Sequence, residues 1–337
     1  KEAGVSITTV SRFFNDPSKV AESTARRIRR VVDRNDYRPD ARRPGPKTID
    51  RVGIRSFTVV FLSLGPFSPE RMMCESAFPS FLGALQSALS ARKISMTMAH
   101  LLPNGEIPPA ADPKYCDGLI LFDRPAHEKT KQALRNLYRR LPTVWSFREH
   151  CDTFNEVDHV FYDNSVIGVM AADYFAKRGH KKVAQFNLDV DHTAFRERMN
   201  SFELKCASLG IEVVRCEAAL PVPYGTTRYN YLAELFLKQT DGVTGAFFCS
   251  DDVMLGVTMA LQSHGFNLGR LDSLSVNADN GVLNFFYPRP ATIDIKMDTI
   301  GKITVEQLLK RIAGTEEESR TEIYVKPELI PGERPEQ

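Results

Sequence analysis

The chain has 337 residues, 42% hydrophobic and 26% charged, which suits two or three soluble globular units. No apolar run approaches the ~18 residues of a membrane span, the polar start Lys1-Glu2-Ala3-Gly4 is not a secretory signal, and the six cysteines form no C-x-x-C pair. Net charge is only +2, yet residues 1–47 hold 12 Lys and Arg against 6 Asp and Glu, leaving 32 against 36 in the rest, so a basic head on a mildly acidic body points to a polyanion partner for the head. A cytoplasmic location with reduced, buried thiols follows as the expectation. With the seven histidines scattered and none spaced H-x-x-x-H, neither metal nor cofactor is expected. The chain starts without Met, so residues upstream are expected.

The most informative run is Ala3-Gly4-Val5-Ser6-Ile7-Thr8-Thr9-Val10-Ser11-Arg12-Phe13-Phe14-Asn15. Gly4 can supply the positive φ that ends one helix, and Ser6 suits the N-cap of the next. Val10 and Phe14, with Phe13 beside them, form an apolar stripe, leaving Ile7, Thr8, Ser11 and Arg12 on the remaining surface. A further helix is signalled by Glu22-Ser23-Thr24 with Ile28, Val31 and Val32, its solvent side carrying Arg26, Arg27, Arg29, Arg30 and Arg34. Tyr37-Arg38-Pro39 ends it. The pattern predicts a three-helix helix-turn-helix head whose second helix enters the major groove. Arg12 suits a bidentate contact to guanine, Thr8 a base hydrogen bond and Ile7 a thymine methyl; Ser6, Thr9 and Ser11 suit phosphates.

A-G-V-S-x-x-T-V-S-R-x-x-N followed by S-x-x-V and a closing Y-x-P resembles the DNA-binding head of the lac repressor/purine repressor family over residues 1–40. The resemblance places Ile7, Thr8 and Arg12 at base-reading positions, adds Lys19 as a further DNA contact, and brings Asn15 into the DNA-facing set. In that family a short hinge helix follows, with a leucine wedged into the minor groove. Here the linker, 41–51, carries Arg42-Arg43-Pro44-Gly45-Pro46-Lys47, in which Pro44, Gly45 and Pro46 oppose a helix. Two readings stand side by side: an extended arm placing Arg42 and Arg43 in an A·T-rich minor groove, or a flexible linker.

From residue 52 onward, strand-like runs at 57–62, 94–98, 117–122, 143–147, 182–187, 211–216, 244–249 and 274–276 alternate with helix-like segments at 75–91, 126–140, 164–178, 194–209, 226–238, 251–264 and 299–313. This rhythm predicts α/β βαβ units with parallel sheets, too many for one sheet and so divided into two lobes. Asp117-Gly118-Leu119-Ile120-Leu121, Asp163-Asn164, Gly179-His180, Arg198 with Ser201 and Phe202, Ser250-Asp251-Asp252-Val253-Met254 and Asn277-Ala278-Asp279-Asn280 resemble successive motifs of the same family. The resemblance implies a periplasmic-binding-protein-like body over 52–337, with lobe 1 at about 52–157 plus 293–318 and lobe 2 at about 158–292 plus 319–337.

It further implies an effector cleft lined by Arg198, Asp251 and Asp279, with Phe147, Arg148 and Phe161 nearby. A guanidinium fork, carboxylates and aromatic faces suit a carbohydrate or related polyol. Plainer readings stay open: Arg198 as a surface charge, Asp251 as an N-cap, Phe147 as core. Asp251 stands where the family has Asn, and Phe147 where Asp is common. Neither G-x-x-x-x-G-K-[ST], G-x-G-x-x-G nor G-x-S-x-G occurs, so no enzyme is expected. The sequence thus reads as a homodimeric transcriptional regulator, a repressor, with operator DNA and a small-molecule effector as partners. A protein co-regulator, a sugar-binding protein and an enzyme are the alternatives.

Overall fold

The computed structural model describes residues 3–34, 58–63, 77–101, 104–122, 128–146, 156–190, 192–218, 226–314 and 319–333. They form two units, a head within Lys1–Arg55 and a body within Ser56–Gln337. In the head, helix α1 (Ile7–Asn15) and helix α2 (Glu22–Arg34) flank a short 3₁₀ turn at Pro17–Lys19. Ser6 caps α1 as the sequence predicts, its hydroxyl accepting from the Thr9 amide at 3.2 Å. Phe13, Ala25 and Ile28 form the small core, with Val10, Phe14, Val20 and Val32 against it. Gly4 has φ +58, and a Cβ there would lie 2.6 Å from Arg27 Nη2. That guanidinium donates to the carbonyls of Ala3 (2.7 Å) and Gly4 (3.1 Å), so the turn before α1 is tied to α2. The helix expected before Gly4 would extend to residues 1 and 2, which lie outside the described residues, as does the whole linker with Arg42 and Arg43.

The body holds two six-stranded sheets. The first has the order β11-β5-β4-β3-β1-β2 and is parallel throughout; the second has the order β12-β10-β9-β8-β6-β7. In the second sheet only β12 runs antiparallel, pairing Ile293 with Leu329. The first comprises β1 (Thr58–Ser63), β2 (Ser95–His100), β3 (Gly118–Phe122), β4 (Thr143–Ser146), β5 (Asp158–Phe161) and β11 (Glu322–Tyr324). The second comprises β6 (Lys182–Asn187), β7 (Glu212–Glu217), β8 (Gly245–Phe248), β9 (Asp272–Val276), β10 (Ala291–Asp294) and β12 (Glu328–Ile330). Central strands are apolar on both faces, as buried parallel strands must be. Leu119, Ile120 and Val144 fill the first lobe, and the rings of Phe186 and Phe248 stack at 4.7 Å in the second. Cys116, Cys206, Cys216 and Cys249 are free and buried.

The lobe boundaries differ from those the sequence suggests. Residues 158–161 and 322–324 belong to the first sheet, and 293–294 to the second. Residues 293–294 are held there by pairing with Val276, Leu329 and Glu328, and for 158–161 and 322–324 the physical reason is a buried ion pair. Asp158, in β5, accepts from Arg311 Nε (2.6 Å) and Nη2 (2.7 Å), Gln307 Nε2 (2.8 Å) and the Thr321 amide (3.0 Å). Burial alone would raise its pKa, but Arg311, Gln307 and the Thr321 amide hold it below the ordinary carboxylate value. Thus β5, the long C-terminal helix α10 (Met297–Ala313) and the approach to β11 are clamped into one lobe. The chain crosses between the sheets three times, at 162–163, 295–296 and 325–327.

Candidate functional site

On α1, Thr8 and Arg12 are one turn apart, and Ser11 shares their face. All three side chains are exposed, on the side opposite the buried Phe13. Ser6 is exposed too and Thr9 half-buried; their hydroxyls meet at 2.9 Å, so both serve the cap. Lys19 is exposed and pairs with Asp16 at 3.0 Å. The hydrogen bond from Ser18, and then Lys19, lowers the Asp16 pKa. The side chains of Ile7 and Asn15 lie outside the described set. What the structure brings together is therefore a compact polar surface, Thr8, Ser11 and Arg12, on a capped helix.

In the body, the predicted effector residues gather where parallel strands end. Helix α5 (Asn164–Lys177) begins just after β5, capped by Asp163, which accepts from the Ser165 amide at 2.7 Å. Helix α6 (Thr193–Ser208) lies against it at Gly168, where a Cβ would be 2.0 Å from Ser201 Oγ and 2.2 Å from the Arg198 carbonyl. That close approach delivers Arg198 to the carboxyl ends of β5 and β8. Its Nη2 and Nε donate to Asn164 Oδ1 at 2.9 and 3.3 Å, and Nη1 donates to the Cys249 carbonyl. The guanidinium carbon lies 5.7 Å from the Phe195 ring centroid. Arg198 is 1% exposed, which rules out the surface-charge reading. Burial lowers its pKa, and Tyr162, Cys249 and Asp251 oppose that shift.

Asp251 occupies the first turn of helix α8 (Asp251–Ser263), and Ser250 holds the N-cap position. Its carboxylate accepts from Ser275 Oγ, from Thr292 Oγ1 at 3.1 Å and from the Asp279 amide at 2.7 Å. Burial raises its pKa to about 7 against these three hydrogen bonds. Asp251 is fully buried, so the structure makes it a strut joining α8, β9, β10 and the turn after β9. In that turn Asn277 has φ 112 and Ala278 φ 59, conformations that cost non-glycine residues about 1–3 kcal/mol each. The Asn277, Ala278 and Asp279 amides are held by the Ile293 carbonyl, Thr292 Oγ1 and Asp251 respectively. Asp279 is half-buried and caps the short helix α9 (Asn280–Leu283), accepting from the Gly281 amide at 2.8 Å.

Phe161 ends β5 half-buried, its ring 6.1 Å from that of Tyr324. Phe147 and Arg148 lie outside the described residues. Sequence reasoning did not identify Tyr162 and Asn164 as partners of Arg198. The Asp163-Asn164 pair carried a usable signal, because only one of the two can cap the helix and the other is left for Arg198. A cavity of about 1120 Å³ opens at the opposite, amino edge of the second sheet. There Asp272 accepts from Tyr174 Oη (2.8 Å) and Arg178 Nε and meets His180 Nε2 at 3.0 Å, while His180 Nδ1 meets Thr244 Oγ1 at 2.8 Å. These groups fasten the Gly179-His180 turn to the strand starts. Among the described residues no group of His, Cys, Asp and Glu is arranged to hold a metal ion.

Residues 1–40 match the bacterial regulatory proteins of the lacI family, and residues 172–333 match the periplasmic binding protein-like domain. The chain is 24% identical to the HTH-type transcriptional repressor PurR of Vibrio atlanticus (strain LGP32), covering 97% of this chain and 94% of that protein. Its fold is that of the transcriptional regulator CelR in its cellobiose complex (TM-score 0.68, 19% identity, 98% of this chain and 96% of that one). It is also that of the Lac repressor dimer bound to operator and the anti-inducer ONPF (TM-score 0.65, 15% identity, 98% and 96%). With a DNA-binding domain of the lacI family over residues 1–40 and a periplasmic binding protein-like domain in its two-lobed α/β body, the chain is a DNA-binding transcriptional repressor with an effector-binding domain, not an enzyme.

Proposed function

We propose that this repressor reads a palindromic operator as a cytoplasmic homodimer and is controlled by a small carbohydrate held between its lobes. The observation that carries the effector reading is Arg198, a buried cation whose fork is braced by neutral oxygens at the place where the chain passes between sheets. Such a fork suits ring hydroxyls, Asp279 supplies an acceptor, and Phe161 an apolar face. The family resemblance adds Phe147 and Arg148, outside the described residues, to this set. The cellobiose complex of the related fold supports the carbohydrate class. Ile7, Thr8 and Arg12 read bases, with Ser6, Thr9, Ser11, Asn15 and Lys19 as neighbours on the backbone. Arg42 and Arg43 follow the minor groove beside them.

Met259, Phe285 and Tyr287 are 62%, 75% and 88% exposed on the second lobe, an apolar group that suits burial against a second copy. The lobes close or open on the effector, and the spacing of the paired heads shifts with them.

Two measurements test this. Selection from a random duplex pool should return a palindrome whose affinity falls steeply with salt; an unenriched pool rejects the operator reading. Calorimetry against mono- and disaccharides should find a ligand that Arg198→Ala loses by at least about 100-fold while keeping the selected duplex. Unchanged affinity in Arg198→Ala rejects the site, and binding only of a phosphocarrier protein rejects the carbohydrate.

A further inference from the structure

Helix α2 carries a charge pattern that recognition by α1 does not use. At ~100° per residue, Arg26, Arg30 and Arg34 stand one above another on the side directly away from Ala25, Ile28 and Val32. All three are exposed. Arg26 has a loose partner in Glu22 at 3.7 Å, both side chains being mostly in solvent. Arg30 and Arg34 have no ion-pair partner among the described residues. The neighbouring arginines are occupied differently: Arg27 donates to Ala3 and Gly4, and Arg29 lies 5.9 Å from the Phe13 ring.

Like charges four residues apart oppose a helix by ~0.2–0.5 kcal/mol per pair, and this ridge contains two such pairs. A multivalent anion laid along it reverses the sign of that interaction. The ridge steps at ~6 Å, four residues of 1.5 Å rise, comparable with the ~6.8 Å that two nucleotides rise along the axis of one DNA strand. It carries no apolar side chain, whereas protein interfaces are anchored by buried aromatic and aliphatic groups. A phosphate backbone therefore fits it better than a protein surface.

Which duplex it meets follows from the core. Phe13 of α1 and Ala25 and Ile28 of α2 pack face to face, so Thr8, Ser11 and Arg12 point outward on one side of the head and the arginine ridge outward on the other. The two surfaces cannot share a groove. We propose that the Arg26–Arg30–Arg34 ridge is a second phosphate-binding surface, which lets a head already seated on one duplex hold a second duplex segment.

The proposal rests on α1 holding the first duplex. The test uses the full chain on the selected palindrome, with capture of a second, unrelated labelled duplex as the readout. The variant Arg26→Gln/Arg30→Gln/Arg34→Gln should keep the first duplex within about 2-fold yet lose second-duplex capture by at least 10-fold near ~0.1 M salt, with the salt slope of capture shallower by about 2.7 for three lost contacts. The triple lysine variant should retain capture. Capture and slope unchanged in the glutamine variant overturn the proposal. So does loss of capture in a folded lysine variant, and so does polyglutamate captured as well as DNA. Arg12→Ala keeps the two readings apart: if it binds the first duplex like the parent, recognition by α1 fails, while the glutamine comparison still reports on the ridge.

Discussion

Asp251 shows how one buried carboxylate can brace a strained turn. Its free carboxyl pKa of 3.8 rises to about 7 in the fold, chiefly through burial. The folded state therefore binds the proton more tightly than the unfolded chain does. Stability should fall as pH climbs from about 4 to about 7 and level off above that. Asparagine at this position can offer its oxygen to the Asp279 amide and its amide hydrogens to Ser275 and Thr292, with no charge to desolvate. Asp251→Asn should flatten the slope and gain on the order of 2 kcal/mol at pH 8 in chemical denaturation. Parallel pH profiles for the two proteins would falsify this. Asp251→Leu should instead free the strained Asn277-Ala278 turn, seen as faster amide exchange at residues 277–279.

Among the elements, two contacts decide whether the lobes form. At the α5–α6 crossing, a Cβ at Gly168 would lie 2.6 Å from the Phe202 amide as well as against Arg198 and Ser201. Gly168→Val should lower stability by about 1–3 kcal/mol and weaken effector binding with it, because Arg198 rides on the displaced helix. Calorimetry showing full affinity in the destabilised variant would separate the two effects. In the first lobe, Arg311→Leu leaves Asp158 buried without its counter-ion, and a loss of about 3–5 kcal/mol is expected in urea. Because the Asp158 pKa is lowered in the fold, the pair adds stability above pH ~4 that drains away on further acidification.

The same elements mark how far the sequence could be read. The helices and the long central strands were legible because their apolar periods are unambiguous, as in 182–187, which the structure reproduces at both ends. Strands β5, β10, β11 and β12 were not: they are as short as β4 and β8 or shorter, and each carries an acidic residue that interrupts the apolar run. In β5 the residue that fixes the strand, Asp158, reads as a loop residue until Arg311 is seen 153 positions away. The site divides similarly. Arg198 was legible through its motif, whereas the burial of Asp251 depends on Ser275 and Thr292, whose proximity no local pattern announces.

For the whole molecule, the exposed Met259, Phe285 and Tyr287 make the assembly testable. Met259→Glu/Tyr287→Glu should elute at half the parent's mass and bind the palindrome about 10-fold or more weaker, since two tethered heads act through effective concentration. Unchanged mass places the interface elsewhere.

The three crossings between sheets also set the order in which the protein can come into being. The head's last described helix ends at Arg34, but the first sheet lacks its edge strand until Tyr324 and the second until Ile330. At ~5–20 residues per second of synthesis, roughly 15–60 s separate the head from the final strands. Neither lobe can close as the chain emerges, so each new molecule carries a DNA-binding head before it has a working sensor. The last strands act as a completion mark, and a chain broken off before residue 322 is left with both sheets open-edged and no means of answering its ligand.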